Sequence, residues 1–412
     1  QIARGFGYLD ILLRVPYDAN HILNTLWLRL VGEPSWWGVY RLHSLAAGVV
    51  TLALAWRIAQ RWGRLEGVLA ACLVAASYLL TLYSSEARGH ALMVCFAAAA
   101  FLCLDWRLRT GSRPAYIGWA ASVWLGLLSH LMFVQAYAAF ALWSAHSLAR
   151  REGGPARAAR AWLLLHAPAL AACAFVYWVQ VREMGHAGGG DRPTAGVLRD
   201  TLAAAVGCPD GPWAWGLGAL ALAAAAWAVR DLARRGEDEW VFFAATVFAA
   251  PALLAALHPP GLLFPRYFLL AVAFAALLWA RAGAAGLKAG GAPAAAALAA
   301  LMLLGGGNLW RTREFLRDGR GHYMDAVRPM AERSGPETTV GSGHDFAHRM
   351  MLDFYAARVP GLRLRYVPRD RWTAGEPEWA IVHLDRRGLP SVPELTAKTG
   401  VRYVFVKDFR TS

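Results

Sequence analysis

Apolar residues in this chain come in long, nearly unbroken runs. They show neither the alternation of a half-buried strand nor the narrow stripe of a surface helix. Ten runs can be drawn, at 39–56, 65–83, 89–104, 115–129, 131–148, 161–181, 213–230, 240–257, 267–281 and 291–306. Each approaches the roughly 20 residues a helix needs to cross about 30 Å of hydrocarbon. Lipid offers no partner to a free backbone group, so each is expected to be helical. Gly and Ala run through them, which suits close helix packing in a bilayer. The pattern predicts a polytopic α-helical membrane domain of about ten spans over 39–306, preceded by a juxtamembrane segment at 1–38. From about residue 310 charge rises and the apolar runs shorten to strand length, at 338–342, 379–384 and 401–406, with helical patterns at 322–333 and 345–357. Strands alternating with helices predict a small α/β domain over 310–412.

Composition excludes the soluble alternative. Of 412 residues 57% are hydrophobic and only 17% charged, where soluble domains carry about 25% charged residues. The net charge of +14 invites a nucleic-acid partner, but the Arg residues sit mostly in short loops between apolar runs, and no nucleic-acid binding is expected. Their distribution sets an orientation instead. Alternate loops hold Arg57, Arg61 and Arg64; Arg107, Arg109 and Arg113; Arg150, Arg151, Arg157 and Arg160; Arg230, Arg234 and Arg235; and Arg281 with Lys288. The intervening loops hold only Arg88, Arg182, Arg192, Arg199 and Arg266. The positive-inside rule puts the first set in the cytoplasm. Residues 1–38, the loops near 86 and 130, 182–212, 258–266 and everything after 307 are then extracytoplasmic. Cys72, Cys95, Cys103, Cys173 and Cys208 have no metal-ligand spacing and read as small core hydrophobes.

The polar residues that stand out fall on that outer side. Asp18-Ala-Asn20-His21 precedes the amphipathic stretch Ile22–Val31, which suits an interfacial helix with a polar head. Asp or Asn before an apolar run is also the ordinary helix-capping arrangement. Tyr83-Ser-Ser-Glu86-Ala-Arg88-Gly89-His90 packs a carboxylate, a guanidinium and an imidazole into one short loop, where ionised groups are costly unless paired or functional. Arg41 and His43 open the first span, His130 sits at an outer turn, and Arg266-Tyr267 opens the ninth span. Together they can neutralise a departing phosphate with forked Arg donors and take a proton from an incoming hydroxyl with a carboxylate. No P-loop, dinucleotide fingerprint, HExxH or GxSxG context accompanies them, so ATP-driven transport and the common hydrolases gain no support.

Three elements, Asp18-Ala-Asn20-His21-Ile-Leu-Asn-Thr-Leu-Trp, Tyr40-Arg41-Leu-His43-Ser44 and Tyr83-Ser-Ser-Glu86-Ala-Arg88-Gly89-His90, resemble a run found in polytopic GT-C glycosyltransferases. These are the family 39-like enzymes grouped with protein O-mannosyltransferases and the lipid A aminoarabinose transferase. Ser129-His130 and Pro265-Arg266-Tyr267 also resemble that pattern, which is densest over 18–148. The resemblance implies an inverting sugar transfer from a polyprenyl-phosphate donor to a lipid, glycan or protein acceptor. It implies an extracytoplasmic site in a bacterial inner membrane, with a divalent metal left open. It assigns Glu86 and Asp18 as catalytic carboxylates, Arg41, Arg88 and Arg266 as substrate-binding contacts to the phosphate or sugar phosphate, and Asn20, His21, His130 and Tyr267 as substrate-binding residues that line the pocket. Family members carry an acidic motif in the first outer loop, ahead of the Asn-His element. In this chain that position precedes Gln1, so the first span and the main catalytic acid are expected upstream. The sequence leaves open a flippase or transporter of lipid-linked sugars, a glycan polymerase or ligase, and a homologue that has lost catalysis.

Overall fold

The computed structural model describes residues 2–15, 20–184, 193–258, 261–319, 321–343, 345–372, 376–381, 394–396 and 401–406. The chain divides into two compact units, Gln1–Thr312 and Arg313–Ser412.

The first unit is helical. Short helices α1 (Ile2–Gly5) and α2 (Tyr8–Leu13) lead to α3 (Ile22–Val31) and a 3-10 turn at Trp37–Arg41. Next come α4 (Leu42–Gln60), α5 (Arg64–Ala76), α6 (Tyr78–Ser84), α7 (His90–Thr110), α8 (Arg113–Ser129), α9 (Phe133–Arg151) and α10 (Pro155–Val176). The series continues with α11 (Thr194–Val206), α12 (Trp213–Arg234), α13 (Trp240–Ala244), α14 (Ala250–Leu257), α15 (Leu269–Ala289) and α16 (Gly291–Asp318). A π-helical turn at Ala245–Ala249 joins α13 to α14.

All ten apolar runs are helical, but they are not ten equivalent spans. Among the described residues seven stretches are long and apolar enough to cross a membrane. The 65–83 run is a pair, α5 and α6, bent by 62° at Ser77, and makes an eighth if counted as one span. The runs at 115–129 and 131–148 correspond to α8 and α9; α8 has only 17 residues, and the α9 sequence is broken by Gln135, Ser144, His146 and Ser147. Both pack against α7 and α10. The 182–212 stretch, expected as loop, contains α11, which lies against α12.

Helix α15 is the axis of the bundle. Its sequence LLAVAFAALLWARAGAAG is apolar all round except at Arg281, the signature of a helix with protein all around it, and most of its residues are buried. Phe274 of α15 stacks into an aromatic cluster with Phe101, Phe242 and Phe243; Phe140 and Trp143 of α9 join through Phe242. In a bilayer these contacts gain little from expelling water, so close packing and small residues hold the helices together. Gly207 and Gly307 illustrate this: a Cβ on Gly307 would overlap the Gly207 carbonyl, and one on Gly207 the backbone of Asn308.

The second unit is a small α/β assembly. After α17 (Tyr323–Arg333) come β1 (Glu337–Ser342), α18 (Asp345–Ala356), β2 (Arg363–Tyr366) and β3 (Trp379–Ile381). The strands form a parallel sheet in the order β2-β1-β3, with Val340 opposite Tyr366 on one side and Trp379 on the other. Amphipathic α17 and α18 bury Val327, Met330, Leu352 and Ala356 around Val340. A separate antiparallel pair joins β4 (Glu394–Thr396) to β5 (Arg402–Val404). The sequence pattern does not mark β2.

Candidate functional site

Four chain segments meet at one end of the helical unit: the start of α3, the α6–α7 loop, the α8–α9 turn and the 3-10 turn Pro265–Phe268 before α15. His21 stands at the N-cap of α3 without making a side-chain cap, and Asn20 turns its amide to the Ile11 and Val15 carbonyls instead, which corrects the capping expectation for Asn20. Its ring lies 4.5 Å from that of His130 and 5.3 Å from that of His90. The His90 and His130 rings are 4.6 Å apart, and Tyr83 packs on His90 at 4.9 Å.

Gly89 makes this approach possible. A Cβ there would overlap the Ser129 carbonyl, so any other residue would push the α6–α7 loop off the α8–α9 turn. From the other side Ser44 of α4 donates its hydroxyl to the Arg88 carbonyl at 3.0 Å. Within the loop the Arg88 Nε lies 3.6 Å from Glu86 Oε2, with the Glu86 side chain only 10% exposed and that of Arg88 half exposed. Arg266 stacks over Phe264 at 4.0 Å and over Tyr267 at 5.3 Å. Gln135 of α9 donates to the Tyr267 carbonyl at 3.1 Å, tying the last segment to the others.

Arg88 and Arg266 are close enough to act on all three imidazoles. Burial first, then the two guanidiniums, push His21 down to about 3; a hydrogen bond to the Ser129 carbonyl opposes them only in part. Burial, then His21, Arg266 and Arg88, hold His130 well below the usual imidazole range. These histidines are therefore neutral near pH 7, and the fixed positive charge of the site belongs to the two Arg. Such an arrangement favours a dianion, and Arg forks match phosphate oxygens.

The basic loops gather at the other end. His90 opens α7 and Asp105 lies 15 residues along the same helix, about 22 Å away at 1.5 Å per residue. There Arg61 bridges Asp105 at 2.5 Å and Glu239 at 2.6 Å, and Trp62 donates to Glu239 at 2.8 Å. Arg150 pairs with Asp238 at 2.7 Å, Arg281 with Asp231 at 2.6 Å and Lys288 with Glu66 at 2.5 Å.

Of the residues singled out in the sequence, the structure brings together His21, Glu86, Arg88, His130, Arg266 and Tyr267. Asn20 is buried beside them, but its amide nitrogen donates to the Ile11 and Val15 carbonyls, bonds that hold the start of the chain against α3. Arg41 is exposed at the end of its 3-10 turn, with no contact to the group shown. Asp18 lies outside the described residues. The sequence pattern does not single out His90 as a site residue, although it sits directly after the Glu-Ala-Arg-Gly element. With His21 and His130 it forms the one group of three potential metal ligands among the described residues, all ligand atoms lying within 4.8 Å of one another.

No protein-family model and no curated protein sequence matches the chain. Solved structures do. ArnT from Cupriavidus metallidurans in the apo state is 14% identical over 84% of this chain and 74% of its own, with a TM-score of 0.53. ArnT from the same organism bound to undecaprenyl phosphate is 13% identical over 88% of this chain and 82% of its own, with a TM-score of 0.47. The chain has an ArnT-like GT-C fold: a polytopic helical membrane unit with a small C-terminal sheet region.

Proposed function

We propose that this protein is a membrane glycosyltransferase that moves a sugar from a polyprenyl-phosphate donor to a hydroxyl- or amine-bearing acceptor on the extracytoplasmic face, with inversion. One observation carries the reading. A buried carboxylate, Glu86, and two guanidiniums, Arg88 and Arg266, converge at one end of a helical unit with the ArnT-like fold. The charge pattern supports the face, since the basic loops meet at the opposite end.

The donor places a phosphate at the membrane surface with the sugar attached through its anomeric carbon. Arg88 and Arg266 bind that phosphate and stabilise the charge that grows on it as the glycosidic C–O bond breaks, commonly the larger catalytic contribution. The acceptor oxygen or nitrogen forms the new bond to the anomeric carbon from the opposite face. Its proton passes to the Glu86 carboxylate, which acts as general base. In the structure Arg88 partners Glu86 at 3.6 Å; a bound phosphate competes with that carboxylate for Arg88. His21 and His130 stand against each other beside them, and Tyr267 lies under Arg266. A transporter would place its ionised groups near midspan, whereas these sit where helices emerge.

The test follows release of free undecaprenyl phosphate from a pool of undecaprenyl-phosphate sugars by full-length protein in membranes. Wild type releases it. Glu86→Gln inserts normally and releases none. Equal release by wild type and Glu86→Gln would remove Glu86 from the chemistry.

A further inference from the structure

We propose that His21, His90 and His130 form a three-nitrogen site for one divalent transition-metal cation of the zinc class, whose fourth position takes water or a phosphate oxygen. The three residues come from points 69 and 40 positions apart in the chain. Each is set at an element boundary: the N-cap of α3, the first residue of α7 and the C-cap of α8. Backbone geometry at these boundaries fixes where the rings emerge, and the close approach at Gly89 fixes the distance between two of them.

His90 points most directly to a ligand. It is fully buried, and neither ring nitrogen has a hydrogen-bond partner. A neutral imidazole has one N–H and one lone pair, and burying both unmet is a standing cost that native interiors rarely tolerate. A cation held by the lone pair relieves half of it. His21 is already oriented as a ligand. The Ser129 carbonyl lies beside its ring, on the side where an outer-shell acceptor orients a metal-bound histidine.

Two features oppose uptake and define what must happen. His130 Nδ1 accepts a hydrogen bond from the Met132 N–H at 3.0 Å, so that bond must open, either to give Nδ1 to the cation or to let the ring proton move there and free Nε2. Tetrahedral zinc also needs its nitrogens about 3.3 Å apart, closer than the 4.8 Å that bounds this group, so the rings rotate inward. The three nitrogens and open position suit zinc or cobalt, while magnesium and calcium prefer oxygen ligands. Arg88 and Arg266 repel a cation until an anion joins them. The metal and a lipid phosphate therefore raise each other's affinity by the same factor. This coupling rests on the proposed function; the three-histidine site itself does not.

The experiment uses the purified full chain, stripped with EDTA, loaded with Zn2+ and desalted. One zinc per chain is expected by elemental analysis, with none retained from Mg2+. Cobalt loading should give the intense visible absorption of a four-coordinate site. His90→Phe and His21→Gln should lose the zinc, while His146→Gln, at the opposite end, keeps it. Zinc no higher than in a mock-loaded sample, or equal zinc in all three variants, overturns the site. Should His90→Phe not fold, the wild-type cobalt spectrum decides, and a weak six-coordinate spectrum overturns it. Zinc bound normally by a protein without transfer activity would count against the proposed function and leave the metal site standing.

Discussion

The hydroxyl of Ser44, fully buried on α4, donates to the backbone carbonyl of Arg88 at 3.0 Å. A membrane helix thereby holds the loop that carries Glu86, Arg88 and His90. The backbone bond sets where the loop sits, and within it Arg88 and Glu86 pair with each other at 3.6 Å.

Ser44→Ala should therefore damage placement more than stability. A buried carbonyl losing its donor costs about 1 kcal/mol, a small change in melting temperature for a protein of this size. Lipid-phosphate turnover should fall about tenfold or more, because small misplacements of reacting groups are costly. Ser44→Thr, which keeps the hydroxyl, should recover most of it. Equal turnover in wild type and Ser44→Ala would show that the loop is held by other contacts.

Glu239 supplies the contrasting case. Its side chain is almost wholly buried between Arg61 and Trp62, at the end of the bundle away from the proposed site. Breaking a buried ion pair costs about 3–5 kcal/mol. Here Asp105 keeps its pairing with Arg61, while the Trp62 N–H loses its acceptor, so the cost falls toward the lower end of that range. Glu239→Ala should lower thermal stability sharply in detergent while lipid-phosphate affinity of the folded fraction stays at the wild-type level. A selective loss of affinity without loss of stability would mean that the two ends are functionally coupled.

Acid should destabilise the protein through His21. Its folded value is depressed to about 3, below the about 6.5 of an unfolded imidazole. The unfolded chain thus binds the proton first. Stability is complete above about pH 6.5 and declines as pH falls toward 3. Measured with EDTA present, so that metal release plays no part, the melting temperature of wild type should drop between pH 7 and pH 4.5. His21→Gln should show a shallower drop. Parallel curves would place His21 in a more solvated setting than this one.

Much of this is legible in the sequence because membrane spans and basic loops write themselves in composition. Glu86, Arg88, His130 and Arg266 stand out as polar residues at the ends of apolar runs. The break at Ser77 does not, since no Pro or Gly marks it. The Ser77 hydroxyl caps α6 by accepting the Leu80 N–H, and a partner 230 residues away completes the break. The Asn308 side-chain carbonyl accepts the Tyr78 N–H at 2.9 Å, and the Asn308 amide donates to the Ala205 and Leu304 carbonyls. A partner so distant in the chain leaves no local signal. His90 is hidden as a site residue for a similar reason, because its importance comes from rings at positions 21 and 130. Strand β2, Arg-Leu-Arg-Tyr, alternates exposed and half-buried residues over only four positions, too short a pattern to distinguish from loop.

If Arg88 and Arg266 together receive the phosphate of a membrane lipid, native mass spectrometry of the full protein with undecaprenyl phosphate will register it. Dioleoyl phosphatidylcholine serves beside it as a lipid of similar apolar bulk. A one-to-one complex with undecaprenyl phosphate is expected, weakening at least tenfold in Arg88→Ala and in Arg266→Ala. Each change removes a charge-assisted contact of about 1.5–3 kcal/mol. Arg150→Ala, beside Asp238 at the opposite end of the bundle, should bind as wild type does. Undecaprenyl phosphate binding that is unchanged in both site variants would overturn the phosphate-binding role of this pair, and with it the proposed transfer.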